Sequence, residues 1–134
     1  MTTRLAYITD LHVGGPLEGG WHVQPFNPDR LPGIFAALRA WLDRERIELL
    51  IVGGDLVDCA DPALIDTAIN HLASLERTVV MTLGNHDLAT PTNDADAMPL
   101  WQRARGDHDW LHVDDTHLAR RDIDVLSVNN HWLD

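Results

Sequence analysis

With 134 residues, 45% of them hydrophobic, the chain is long enough for one domain, 1–134, with a real core, and it is not compositionally disordered. A formal charge of −11 disfavours a nucleic-acid or anionic-membrane surface, which needs a basic stripe. No apolar run approaches the ~20 residues of a membrane span. The opening lacks a signal peptide's long apolar segment, and Cys59, the only cysteine, excludes an internal disulfide. A cytoplasmic location is therefore expected.

Residues 5–12 read LAYITDLH, a strand-like run ending in Asp10 and His12. The Gly/Pro-rich segment 13–28 reads as a loop overhanging the end of that strand, with Trp21 and His22 in it. A helix is expected from Asn27 as N-cap and Pro28 at its first position. Leu31, Ile34, Phe35, Leu38, Trp41 and Leu42 then give one apolar stripe at helical spacing, while Arg39, Asp43, Arg44 and Glu45 read as a solvated face.

Residues 48–58, ELLIVGGDLVD, are the centre of the pattern. Leu49 to Val52 form a short apolar run, as in a strand buried on both faces. Gly53 and Gly54 permit a tight turn, and Asp55 and Asp58 stand just past the strand end, where open α/β sheets bind their ligands. Cys59 reads as a small buried filler. A second helix starts at Asp61-Pro62, with Leu64, Ile65, Ala68, Ile69 and Leu72 as its apolar face and His71 off that face. Residues 77–83 form a third strand, followed by Gly84, Asn85, His86 and Asp87. Strand, helix, strand, helix, strand implies a parallel sheet with right-handed crossovers.

Beyond it, residues 88–99 read as a polar loop and 98–104 as a short helix. Short strands are expected at 110–113, 116–119 and 123–128, the first two joined by a turn at Asp114-Asp115. His108, His112 and His117 have no ligand spacing and read as surface. Taken singly, Asp10, Asp55 and Asn85 would be strand-end caps.

Taken together, Asp10-Leu11-His12, Gly54-Asp55-Leu56-Val57-Asp58 and Gly84-Asn85-His86-Asp87 resemble the first three signature motifs of the calcineurin-like metallophosphoesterases, in the family's order and each after a strand. The resemblance implies the parallel βαβαβ core of an α/β/β/α sandwich, incomplete at its C-terminal end. It implies Asp10, His12 and Asp55 as ligands of a first metal, Asp55 as the bridge, and Asn85 as ligand of a second. The cofactors would be two divalent transition-metal ions; carboxylate with imidazole suits Mn, Fe, Zn, Co or Ni. His86 would be catalytic without holding a metal, with Asp58 as its hydrogen-bonding partner. The implied reaction is hydrolysis of a phosphodiester or phosphomonoester by a two-metal-activated water, on a small-molecule or nucleotide substrate.

The family's later histidine ligands come from motifs this sequence does not contain: no Gly-His-x-His occurs in it. The chain therefore resembles the amino-terminal half or more of such a domain. The alternative reading is a non-catalytic fragment or subunit. An apolar sheet face left uncovered is expected to give self-association or to need a missing C-terminal portion, and the second metal site is expected to be weak unless His22, which reads as a packed or solvated loop residue, or His131 substitutes for a missing ligand.

Overall fold

The computed structural model describes residues 2–15, 28–92, 96–113 and 116–128. Within them the elements run β1 (Leu5–Ile8), a 3-10 turn (Pro28–Arg30), α1 (Leu31–Arg44), β2 (Leu49–Val52), α2 (Pro62–Ala73), β3 (Thr78–Met81), α3 (Asn85–Leu88), α4 (Met98–Arg105), β4 (Leu111–Val113), β5 (Thr116–Ala119) and β6 (Asp124–Ser127). The chain is α/β, with the expected parallel core. Strands β1 to β4 form one parallel sheet in chain order, β2 pairing Leu49 with Leu5 on one side and with Thr78 on the other.

Chain order in the sheet has a geometric consequence. Every crossover steps one strand in the same direction, so crossovers of one hand place their helices on one face. The core agrees: Ala6, Leu50, Val52, Val79, Met81 and Leu111 cluster with Phe35 and Leu42 of α1, Ile65 and Leu72 of α2, and Trp101 of α4. Alternation along the strands sends Leu5, Tyr7, Leu49, Ile51 and Val80 to the opposite face. That face is partly covered. Leu49 and Val80 are buried, but Tyr7 on the edge strand is 60% exposed.

The antiparallel pair β5–β6 forms a separate two-stranded sheet. Its turn is tied to the amino-terminal end of the parallel sheet. The Thr3 amide donates to Asp122 Oδ2 at 2.6 Å, and Arg120 Nη2 donates to Thr78 Oγ1 at 3.0 Å. At its far end Leu126 and Val128 are 71% and 61% exposed.

Several expectations need correction. The strand at 111–113 does not pair with that at 116–119. It extends the parallel sheet beside β3, because α4 returns the chain to the sheet as a third crossover, and the hairpin is instead closed by Arg120 N–H to the Ile123 carbonyl at 2.8 Å. Asp114 and Asp115 lie outside the described residues, as do Trp21, His22, Asn27 and His131. Pro28 opens a 3-10 turn and α1 begins only at Leu31, with Pro32 in its first turn, where a missing N–H breaks no helical bond. Ile34 and Trp41 are each 39% exposed because the stripe is wider than the contact α1 makes with the sheet and α2. His71 is not surface: α1 and α2 lie side by side, so its ring stacks on Phe35 at 4.8 Å and burial lowers its pKa. His112 is half-buried in β4, while His108 and His117 are exposed.

The Asp61-Pro62 start of α2 is as expected, with Asp61 Oδ1 accepting from the amides of Ala63 at 2.9 Å and Leu64 at 3.3 Å. Asp61→Ala should therefore cost about 1 kcal/mol in urea unfolding, without changing the dependence on denaturant.

Candidate metal and catalytic site

The site is made by backbone pairing that continues after β1 and β2 end. Beyond Ile8 and Val52 the amides of Asp10, His12 and Val13 donate to the carbonyls of Gly54, Asp55 and Leu56 at 3.1, 3.0 and 2.9 Å. The Asp58 amide donates back to Val13 at 3.0 Å, and Val13 and Val57 form a parallel bridge. The two motif loops are thus held in register beside each other.

Within that ladder Asp10, His12 and Asp55 adopt φ of 57°, 43° and 52°. These left-handed conformations break the two-residue alternation of a strand. They are uncommon outside glycine, though Asp and His tolerate them better than most residues. The result brings one ligand atom from each of Asp10, His12 and Asp55 within 4.8 Å of the others. His12 Nε2 stands 3.9 Å from Asp10 Oδ1.

The third motif meets the second across two glycines. A side chain on Gly84 would collide with the Asp55 carboxylate and amide, and Gly54, at φ 100°, lies against the Gly84 backbone. This contact lets the His86 amide donate to Asp55 Oδ1 at 3.0 Å. Asn85 is exposed as the first residue of the one-turn helix α3, between the two residues that touch Asp55.

His86 lies beside the Asp10–His12–Asp55 group. Its ring centroid is 4.6 Å from that of His12, edge to face. Its Nδ1 is 2.8 Å from the Asp58 backbone carbonyl, so Nδ1 carries the proton, since a carbonyl can only accept. The Asp58 carboxylate stands between two imidazoles, 3.6 Å from His12 Nδ1 and 3.8 Å from His86 Nδ1. Asp58 thus holds His86 in place first through its main chain and faces both rings with its charge. These three residues form a second His–Asp–His group. Cys59 is half-exposed rather than buried, and burial with the charges of Asp58 and Asp61 raises its pKa, which keeps the thiol protonated and unreactive.

The sequence left one residue of the site open, Asp87, as a supporting carboxylate or a helix cap, and missed another, Trp101. Asp87 is fully buried beneath it, its carboxylate accepting from the amides of Val57 at 3.0 Å and Gly84 at 2.9 Å. Trp101 of α4 donates its indole N–H to the Asp87 carbonyl at 2.7 Å. The only sequence signal was Asp87's place directly after Asn85-His86, where a helix cap reads the same.

The donor set fits a borderline divalent cation: two carboxylates and an imidazole converge where, without positive charge, the carboxylates repel. Two predictions follow from this geometry. Asp10→Asn keeps the left-handed backbone and removes one repelling charge. The metal-free protein should keep its stability within about 1 kcal/mol, while Co(II) affinity falls at least tenfold; an equal loss of both would tie Asp10 to folding instead.

The other concerns pH. Burial pushes the Asp87 carboxyl up to about 6, against the pull of the Gly84 and Val57 amides and with the Asp55 charge adding to the rise. The folded state then binds its proton more tightly than the unfolded chain does. That contribution is full below about 4 and is lost as pH rises through about 6. In chelator, the stability of the wild type relative to Asp87→Asn should fall by about 2–3 kcal/mol between pH 4 and pH 7.

No curated protein matches the chain. The family model for calcineurin-like phosphoesterase matches residues 3–132, a span that takes in all three motif loops and the sheet that carries them. The chain belongs to the calcineurin-like phosphoesterase family.

Proposed function

We propose that this chain hydrolyses a phosphate ester, a phosphodiester or phosphomonoester of a small molecule or nucleotide, with a cation at Asp10, His12 and Asp55. Family membership carries the class, a metal-dependent phosphoesterase. The observation that supports the site is the convergence of those three side chains beside His86. A bound divalent cation there supplies water activation and charge neutralisation at the phosphoryl group. A second cation would rest on Asp55 and Asn85.

The protein's own residues do the rest. His86, fixed by the Asp58 carbonyl, presents Nε2 to the substrate and hands a proton to the leaving oxygen. The nearby Asp58 carboxylate stabilises the imidazolium that this requires. Asp55, holding the His86 amide, keeps that ring at a set distance from the cation group. The substrate is small on the strength of the chain's charge: at −11 it would repel an extended nucleic acid. A single cysteine fits a cytoplasmic setting, and among the described residues no helix is long and apolar enough to cross a membrane.

A second reading, a subunit or fragment that holds a cation without turnover, is favoured by the ligand count. The two groups among the described residues share His12 and add no histidine beyond His12 and His86. In that case exposed apolar side chains such as Tyr7, Leu126 and Val128 would take a second copy or a further portion of chain.

The test pairs a phosphodiester assay, bis-p-nitrophenyl phosphate with Mn(II), with metal analysis. His86→Ala should lower kcat about 10²- to 10³-fold at unchanged metal occupancy. Loss of metal in proportion to activity would make His86 a ligand, and a wild type that binds Mn(II) but never turns over would support the second reading.

A further inference from the structure

Asp55 and Asp87 exchange donors across the two loops. Asp55, from the loop after β2, accepts the amide of His86 in the loop after β3. Asp87, from the loop after β3, accepts the amide of Val57 in the loop after β2, and its second oxygen takes Gly84 N–H at the head of its own loop. The two bonds run in opposite directions between the same two segments, at 3.0 Å each. They form a cross-brace directly under the cation group.

We propose that Asp87 is the positioning residue of this site, setting where Asp55 and His86 stand relative to each other. The inference rests on the reading of Asp10, His12 and Asp55 as a cation site. The residue type follows from the geometry. Two amide N–H groups converge on one buried side chain, so both of its terminal atoms must accept. A carboxylate satisfies both; an asparagine offers one acceptor and turns its NH2 toward an N–H. Among the described residues no ion pair is made by the buried Asp87 carboxylate, and such a group is costly to keep. Here that cost falls at the junction of the two ligand-bearing loops. Trp101 anchors the brace from outside, its indole N–H on the Asp87 carbonyl tying α3 to α4 and so to the helical layer.

The brace predicts an effect on cation affinity distinct from an effect on stability. Asp87→Asn, studied at pH 7.5 and at a temperature where it is folded, should weaken Co(II) binding about 10- to 100-fold, the range for residues that orient ligands from behind. In the metal-free protein it should also move the amide resonance of His86, which reports the bond to Asp55. Ile69→Val, a buried change in α2 away from the site, should destabilise the fold and move neither readout.

Should Asp87→Asn fail to fold, Trp101→Phe serves: it keeps an aromatic ring in the core, removes the indole donor, and should weaken Co(II) binding several-fold while shifting the same amide. A folded Asp87→Asn that binds Co(II) as the wild type does, with the His86 amide unmoved, overturns the inference. So does Ile69→Val weakening Co(II) as much as Asp87→Asn. A wild type that binds no Co(II) refutes the cation reading instead, and the His86 amide alone then decides the brace.

Discussion

Everything at the carboxyl end of the sheet depends on β1 and β2 remaining paired after they cease to be strands. Ordinarily a loop leaving a parallel strand must find water or side chains for its amides. Here the loops satisfy one another: Asp10, His12 and Val13 donate across to residues 54–56, and Asp58 donates back. Because main-chain bonds fix these two loops, the side chains of Asp10, His12 and Asp55 can converge. Their left-handed backbones, which would be a local defect elsewhere, are held by this ladder.

The third segment joins by close approach instead of pairing. Gly84 lies so near Asp55 that a side chain there could not be accommodated, and the bonds of Asp55 and Asp87 then lock the contact. Two different physical devices therefore meet in one site. A hydrogen-bonded ladder holds the first two motifs, and a glycine contact with buried carboxylates holds the third. The first is proof against many side-chain changes. The second depends on the volume of a single hydrogen at Gly84.

The parallel core was legible because its apolar runs are short, continuous and punctuated by glycine, and because helical periodicity separates them. Much of the candidate site was legible too, since Asp10, His12, Asp55 and His86, which the structure brings together, sit directly after strand runs. What could not be read was set by tertiary neighbours. His71 looks like surface on α2 alone, and becomes half-buried only because α1 lies alongside with Phe35. The partner of residues 111–113 could not be chosen from local pattern, because three residues pair as readily with a hairpin neighbour as with a distant strand. Asp87 was left between a cap and a supporting carboxylate, and Trp101 was missed, for the same reason: their roles exist only through bonds to other segments.

The strand order carries a consequence for how the chain comes together. In a sheet whose spatial order repeats the chain order, each new strand docks beside the one made before it, and none must be threaded between two already paired. Asp10, His12, Asp55 and Asp58 all lie in the first two steps of that growth, whereas His86 and its brace arrive with the third. During synthesis, when amino-terminal segments emerge first, the proposed cation-holding half of the pocket has its parts in hand before the proposed proton donor does. Assembly of the pocket is thereby vectorial: the Asp10–His12–Asp55 group first, His86 and its brace afterwards.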